Sequence, residues 1–392
     1  MMHLFINSIA ASAGGGLTYI RNLLPQLGAR DDVRATVAVN SGLREELDGM
    51  PNLDFVELQA PVSRRFVYEQ SALAECVRRS GADVLLSTGN FALWHSPVPQ
   101  ILLSRNSIYT SPDFYRDVLS RHEYRLWLET KLRGILAKKS IDWADATVAP
   151  SEAFAEDLRR WTDRPVIAIH HGFDYDAFTR NHDPLAKEVH EKVAVPQGAL
   201  KLLFVSHYNY YRNFETLIRS LPILRDRFAR PVKLLLTCRL RTGENPGSYR
   251  TERAASLVKT LGVSEMLVEL GSVPYGELHQ LYRSADLYVT PAYTETFAHP
   301  LVEAMSCGIP IVASDLAVHR EICGEAAVYF PRFSHEDLAE SVLQVAASET
   351  ISQRMVRRGL DRSRDFSWKQ HLEKLLVVSR QLIAGMQPVA AD

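Results

Sequence analysis

Short apolar runs bounded by turn residues alternate with longer stretches of helical periodicity along the whole chain. This alternation constrains the fold most, because such runs joined by helices build parallel sheets from repeated βαβ units. In the first half the predicted strands run from His3 to Ile9, Arg34 to Val39, Leu53 to Leu58, Asp83 to Ser87, Gln100 to Leu103, Ala146 to Ala149 and Val166 to Ile169. In the second half they run from Leu202 to Ser206, Val232 to Cys238, Met266 to Leu270, Asp286 to Thr290, Ile309 to Ala313 and Ala326 to Phe330. The predicted class is α/β with two doubly wound parallel sheets. A chain of 392 residues accommodates both, since one domain usually takes roughly 100–200 residues.

Residues 171–200 are polar and contain Pro184 and Gly198, as expected of an irregular linker. The expected domains are therefore 1–180 and 181–367. A C-terminal helix in 368–392, with Leu372, Leu375, Leu376 and Val378 at apolar positions, is free to pack back on the first domain.

Lys and Arg total 45 against 46 Asp and Glu. That balance leaves no broad cationic footprint and excludes a dedicated nucleic-acid binder. Cys76, Cys238, Cys307 and Cys323 are scattered and form no Cys-x-x-Cys pair, so neither a zinc site nor a disulfide framework is expected. The opening apolar stretch lacks a basic flank and is interrupted by Asn7 and Ser8, which reads as a first strand rather than a signal segment. A cytoplasmic protein is the expectation.

From Thr294 to Pro310 the chain reads Thr-Glu-Thr-Phe-Ala-His-Pro-Leu-Val-Glu-Ala-Met-Ser-Cys-Gly-Ile-Pro. The strand ending at Thr290 leads into a helix with Pro300 in its first turn, and Gly308 and Pro310 end it. A strand that feeds a loop and then a helix start presents free N–H groups and the positive end of the helix dipole, a ready phosphate site. Glu303 could simply complement that dipole. Flanked by Leu301, Val302, Ala304 and Met305, however, it is expected to be buried and to need a partner. A ribose diol is such a partner, because a carboxylate accepts from two adjacent hydroxyls.

Glu295 and Glu303, separated by seven residues and followed by Ala-Met-Ser-Cys-Gly-Ile-Pro-Ile-Val-Ala-Ser-Asp, resemble the E-x7-E segment of the retaining GT-B glycosyltransferases of family four. The resemblance implies two Rossmann-like domains facing a cleft, with a nucleotide diphosphate sugar as donor substrate and no cofactor. It places Glu295 beside the donor sugar, the peptides of Phe297 and Ala298 on the diphosphate, and Glu303 on the ribose. The stretch from Leu203 to Phe214 is similar to a second family segment, in which an arginine and, five residues later, a lysine grip the diphosphate. Here those positions hold His207 and Arg212. Arg212 keeps the charge and adds a planar fork, whereas His207 is only partly charged near neutral pH. Arg212 and Glu295 are thus the expected catalytic residues. The turn from Gly271 to Tyr275 resembles the one that flanks the nucleobase, which assigns Val273 and Tyr275. Gly14-Gly15-Gly16, ahead of a helix predicted from Leu17 to Leu27, resembles the loop that faces the donor phosphate, assigning Gly15 and Gly16, where glycine permits close backbone approach.

On the acceptor side, many relatives carry a histidine where this chain reads Ser104-Arg105-Asn106-Ser107. His170-His171-Gly172-Phe173-Asp174 resembles the family's turn before the linker and is read as hinge structure. Adjacent histidines diverge, no HExxH occurs, and Asp174-Tyr175-Asp176 falls in the linker, so no metal centre is expected. From Tyr115 to Lys139, seven Lys or Arg stand against three acids, interleaved with Tyr124, Leu126, Trp127 and Leu128. Such a helix is either ordinary, with a solvated basic face, or rests on an anionic membrane.

The expected activity is retaining, metal-independent transfer of a hexose-type sugar from a UDP, GDP, ADP or TDP donor. The acceptor is a hydroxyl of a saccharide or lipid-linked glycan. An NAD-dependent oxidoreductase would want a third glycine where Tyr19 stands and an acid where the second strand runs out at Asn40. A noncatalytic sugar-binding protein is the other alternative.

Overall fold

The structure, a computed structural model, describes residues 1–11, 14–46, 50, 52–58, 65–181, 183–194, 198–245, 247 and 249–389. Each predicted run overlaps a strand, with ends that differ by up to two residues. In the first sheet these are β1 (Met2–Asn7), β2 (Val33–Val39), β3 (Leu53–Glu57), β4 (Val84–Ser87), β5 (Gln100–Leu103), β6 (Ala146–Ala149) and β7 (Val166–Ala168), in the order β3-β2-β1-β4-β5-β6-β7. The second sheet holds β8 (Leu200–Phe204), β9 (Val232–Leu236), β10 (Leu267–Glu269), β11 (Leu287–Thr290), β12 (Ile311–Ser314) and β13 (Val328–Phe330), in the order β10-β9-β8-β11-β12-β13. All pairings are parallel. Strands β4, β5, β6, β11 and β12 are buried along their full length. Covered on both faces, they need no alternation and read as continuous apolar runs.

The chain divides into two compact units. One comprises Met1–Thr110, Tyr124–Gly172 and Phe366–Asp392, and the other Ser111–Glu123 with Phe173–Asp365. The first unit thus breaks at Gly172, ahead of the boundary expected near residue 180, and Ser111–Glu123 belongs to the second.

In the first unit, helix Trp368–Ile383 contributes Leu372, Leu375, Leu376 and Val378 to a core shared with Leu4, Ile6, Val84 and Ile101. His371 Nδ1 donates to the carbonyl of His170 at 2.8 Å, which leaves Nε2 to accept from the Tyr19 hydroxyl at 2.9 Å. His171, 4% exposed, packs its ring 5.3 Å from that of Tyr19 and 5.9 Å from that of Trp368. His171 is therefore core of the first unit, with His170 half-buried beside it.

Three local expectations change. The helix read from Tyr115 to Lys139 is two helices, Pro112–Ser120 and Tyr124–Trp143, interrupted by His122 at φ 58°. The first is capped by Ser111, whose Oγ accepts from Phe114 N at 3.2 Å. The polar stretch 171–200 is not irregular throughout, since it holds helices Tyr175–Arg180 and Lys187–Val193. Helix Gly14–Gly28 begins at the glycines themselves rather than at Leu17. Among the described residues no helix is long and apolar enough to cross a membrane.

Candidate functional site

In the second sheet, strand order reverses between β8 and β11, which pair directly through Leu202↔Leu287 and Leu203↔Tyr288. The loops that follow them, 205–213 and 291–298, therefore leave the sheet side by side at its carboxyl ends, where doubly wound sheets bind ligands. Tyr293 N donates to Tyr211 O at 3.0 Å, and Asn213 Nδ2 donates to Pro291 O at 3.0 Å. The two loops are stitched together.

This stitching brings Arg212 and Glu295 into contact. Arg212 Nη1 donates to Glu295 Oε1, with the two side chains 20% and 10% exposed. Arg212 Nε is buried and has no hydrogen-bond partner among the described residues. With its side chain 20% exposed, the guanidinium can still meet an anionic oxygen while it holds Glu295. Partial burial of the His207 ring, and secondarily the charge of Arg212, lower its pKa below the usual 6.5. His207 therefore carries less charge near neutral pH than a free imidazole, and Arg212 is the one permanent cation in 205–213.

The loop after β11 ends at Ala298, which takes φ 63° and opens helix His299–Ser306 with Pro300 in the first turn. Phe297 is buried at 1% exposure and anchors this corner. Glu303 lies inside the helix's buried face, 6% exposed, and accepts from the Tyr282 hydroxyl at 2.7 Å. Burial raises its pKa to about 7, and the Tyr282 bond partly counters the rise. Tyr282 belongs to helix Tyr275–Arg283, which follows directly on the turn holding Val273. Tyr275 at its start is 54% exposed, with its ring 5.4 Å from that of Phe178. Val273, Tyr275 and Glu303 are thus connected through one helix and one hydrogen bond.

In the first unit, Gly15 and Gly16 occupy the first turn of helix Gly14–Gly28, and space is open where a Gly15 Cβ would stand. Arg105 braces this turn, with Nη1 donating to Gly15 O at 2.9 Å and Nη2 to Thr88 O at 2.8 Å. Its guanidinium also lies 5.1 Å from the Tyr19 ring centre. Burial lowers its pKa to about 10, so it stays charged at neutral pH. Sequence reasoning had only the departure from histidine to mark this residue, and no signal for its contacts. Among the described residues, no group of three or more His, Cys, Asp or Glu gathers in a way that could hold a metal.

Residues 13–177 match the family described as Glycosyltransferase Family 4, and residues 186–362 match glycosyl transferases group 1. The chain belongs to glycosyltransferase family four. Among its relatives, the D-inositol 3-phosphate glycosyltransferase of Corynebacterium jeikeium is 25% identical over 255 residues, 63% of this chain and 60% of that protein. The family four chain thus spans about 60% of the length of such relatives. O-antigen chain mannosyltransferase B of Escherichia coli is 33% identical over 100 residues, 26% of each chain. Of solved structures, sucrose-phosphate synthase from Thermosynechococcus elongatus superposes with a TM-score of 0.76 at 18% identity, covering 98% of this chain and 100% of that one. Anabaena HepE in complex with UDP-glucose gives 0.70 at 16% identity, covering 98% and 99%. These likenesses are of fold, and the family four chain has the two Rossmann-like domains of GT-B.

Proposed function

We propose that this family four member transfers a hexose-type sugar, with retention at the anomeric carbon, from a nucleotide diphosphate donor to a hydroxyl of a saccharide or lipid-linked glycan. The Arg212–Glu295 pair at the β8/β11 switch point carries this reading. The bond from the anomeric carbon to the phosphate oxygen breaks with its electron pair leaving on the diphosphate. The acceptor hydroxyl oxygen bonds that carbon on the same face, and its proton passes to the departing phosphate oxygen. Arg212 and the N–H groups at the start of helix His299–Ser306, Phe297 and Ala298 just ahead of it, meet the growing charge. Glu295 holds Arg212 and touches the sugar, Glu303 binds the ribose, Val273 and Tyr275 flank the base, and Gly15 and Gly16 approach the donor phosphate. Metal independence belongs to the proposal, because Arg212 and the helix start supply the positive charge that a metal would otherwise bring.

The test is thermal-shift and calorimetric titration with UDP, GDP, ADP and TDP sugars, followed by transfer assays with and without EDTA. UDP-sugars come first, since a solved fold neighbour holds UDP-glucose. A ligand that binds only the folded state raises its melting temperature. Failure of every nucleotide sugar to do so overturns the reading, and turnover abolished by EDTA and restored by magnesium or manganese overturns its metal independence.

A lipid-linked acceptor, reached from a cytoplasmic protein resting on the inner membrane face, is favoured by helix Tyr124–Trp143. Tyr124, Leu128, Leu132 and Ile135 share one helical face and are 62%, 52%, 58% and 61% exposed. Exposed Arg125, Arg133, Lys138 and Lys139 belong to the same helix. An apolar stripe among cations fits an anionic bilayer surface. Flotation with anionic but not zwitterionic vesicles, lost in Leu128→Glu, supports this contact; equal flotation of variant and wild type overturns it.

A further inference from the structure

The loops that carry Arg212 and Glu295 are irregular chain, with Asn213 at φ 56° and Ala298 at φ 63°. Their bonds to each other do not anchor them to the body of the unit. The segment Ser111–Glu123, which belongs to the second unit, lies against both. Asp117 Oδ2 accepts from the Tyr293 hydroxyl at 2.9 Å, and Oδ1 accepts from Arg121 Nε at 2.9 Å. Arg121 Nη1 donates to Glu215 Oε1 at 2.8 Å, and its guanidinium lies 4.1 Å from the Tyr210 ring centre. Glu215 Oε1 also accepts from the Tyr208 hydroxyl at 3.4 Å. The Tyr210 hydroxyl donates to Glu123 Oε1 at 3.1 Å and accepts from Arg250 N at 3.0 Å. Tyr208 adjoins His207, Tyr210 shares the turn Tyr210–Arg212, and Tyr293 lies two residues before Glu295. Three tyrosines thus peg the two loops into one network.

The side chains of Arg121, Asp117 and Glu215 are 8%, 16% and 10% exposed. Burying three charges is costly, and apolar side chains would dock a helix at least as firmly. What the charges add is fixed hydrogen-bond geometry. Packing and polar bonds act together here, since Tyr208, Tyr210 and Tyr293 are themselves buried, while a cavity of about 350 Å3 beside them is lined by Asp117, Arg121, Glu215, Tyr293 and Phe333. Burial, and then the Asp117 charge, push the Tyr293 phenol far above its usual range, so it remains a donor.

We propose that Asp117 and Arg121 are positioning residues for Arg212 and Glu295, acting through Tyr293 and Tyr210. This goes beyond the transferase reading, and only the turnover part of its test depends on that reading.

Tyr293→Phe removes one hydroxyl and keeps the ring against Phe333, at 5.3 Å between centroids. Amide hydrogen exchange is compared between wild type and variant. Exchange should quicken roughly fivefold, the scale of one lost hydrogen bond, in peptides covering 207–213 and 291–298, with β9 and β12 unchanged. In transfer assays kcat should fall roughly tenfold, as misplaced reacting groups require, while nucleotide affinity holds because Glu303 and Tyr275 are untouched. Asp117→Ala, which also removes the charge facing Arg121, should quicken exchange in the same two loops at least as much, and adding Tyr293→Phe to it should cost little more, because the Asp117–Tyr293 bond is then already lost. Unchanged exchange in both loops overturns the proposal, as does loss of protection spread evenly over the unit. If wild type transfers no sugar, the transferase reading fails separately and the exchange comparison still decides the positioning role.

Discussion

The Tyr282 hydroxyl donates to Glu303 Oε2 at 2.7 Å, and both residues are buried. A lone hydroxyl does not compensate a buried carboxylate, and the Glu303 pKa accordingly stands near 7. Between the unfolded value of about 4.5 and 7, the folded protein keeps a proton that the unfolded chain has released. Stability from this group therefore falls as pH rises through that window, at most about 1.4 kcal/mol per pH unit. Glu303→Gln keeps an acceptor for Tyr282 and should melt higher than wild type at pH 8 but not at pH 4. Nucleotide binding should run the other way, since ribose hydroxyls favour the carboxylate. Affinity should rise with pH up to about 7 in wild type and stay flat in the variant, as read by calorimetry at pH 5.5 and 8 (about two buffers spanning the window).

Two buried histidines set the acid limit. His319 Nδ1 donates to Ser314 O at 2.9 Å in the second unit, and His371 Nδ1 to His170 O in the first. Burial lowers both pKa values to about 4. As pH falls below 6.5 the unfolded chain takes up protons that the folded state refuses, so stability drops between 6.5 and 4. Glu303 offsets only one of the two. Urea unfolding should therefore show a net loss from pH 6.5 to 5, shallower in His371→Gln; equal slopes would mean that His371 is not the titrating group.

Gly172 is needed for space rather than for its backbone angle. A Cβ there would lie 2.2 Å from Trp368 N and 2.3 Å from Trp368 Cα. Backbone atoms at a helix start cannot yield as a side-chain tip can. Gly172→Ala should destabilise the first unit by roughly 1–3 kcal/mol or more, measured as a lowered urea midpoint. Trp368→Ala should not rescue it, because the clash includes main-chain atoms.

The sheets were legible because strands such as β4 and β11 are buried on both faces, so that Val84–Ser87 and Leu287–Thr290 stand out as short apolar runs. The Glu295–Glu303 spacing was equally visible, both residues lying on one loop-to-helix segment. Contacts between distant segments were not. Nothing in Pro112–Ser120 says which unit it serves, since an amphipathic helix reads the same against either. Its allegiance is settled by Asp117 meeting Tyr293 across 176 positions. The break at His122 escaped notice because a single left-handed residue leaves the helical pattern on both sides intact. The Arg212–Glu295 pair, 83 positions apart, follows only once β8 and β11 are known to be neighbours.

Arg212 offers the sharpest test of the chemistry. Departure of the diphosphate concentrates negative charge, and only contacts that strengthen as that charge grows accelerate the step. Arg212 is the one permanent cation in 205–213, its side chain is 20% exposed, and the pKa of His207 beside it is lowered. Arg212→Ala should lower kcat by roughly 10²–10³, the effect of deleting one preorganised charge stabiliser, with a smaller change in donor KM. The substitution also strands Glu295, whose side chain is 10% exposed, so lost stability must be separated from lost catalysis. Arg212→Lys does this, because it keeps a cation for Glu295 but lacks the fork and the Nε–H. It should be as stable as wild type yet fall between wild type and the alanine variant in kcat. Steady-state transfer with circular dichroism and thermal melts on all three proteins checks the order. Wild-type kcat in a folded Arg212→Ala protein would remove Arg212 from the reaction, and wild-type kcat in Arg212→Lys would mean that charge alone, without the fork, is what the step uses.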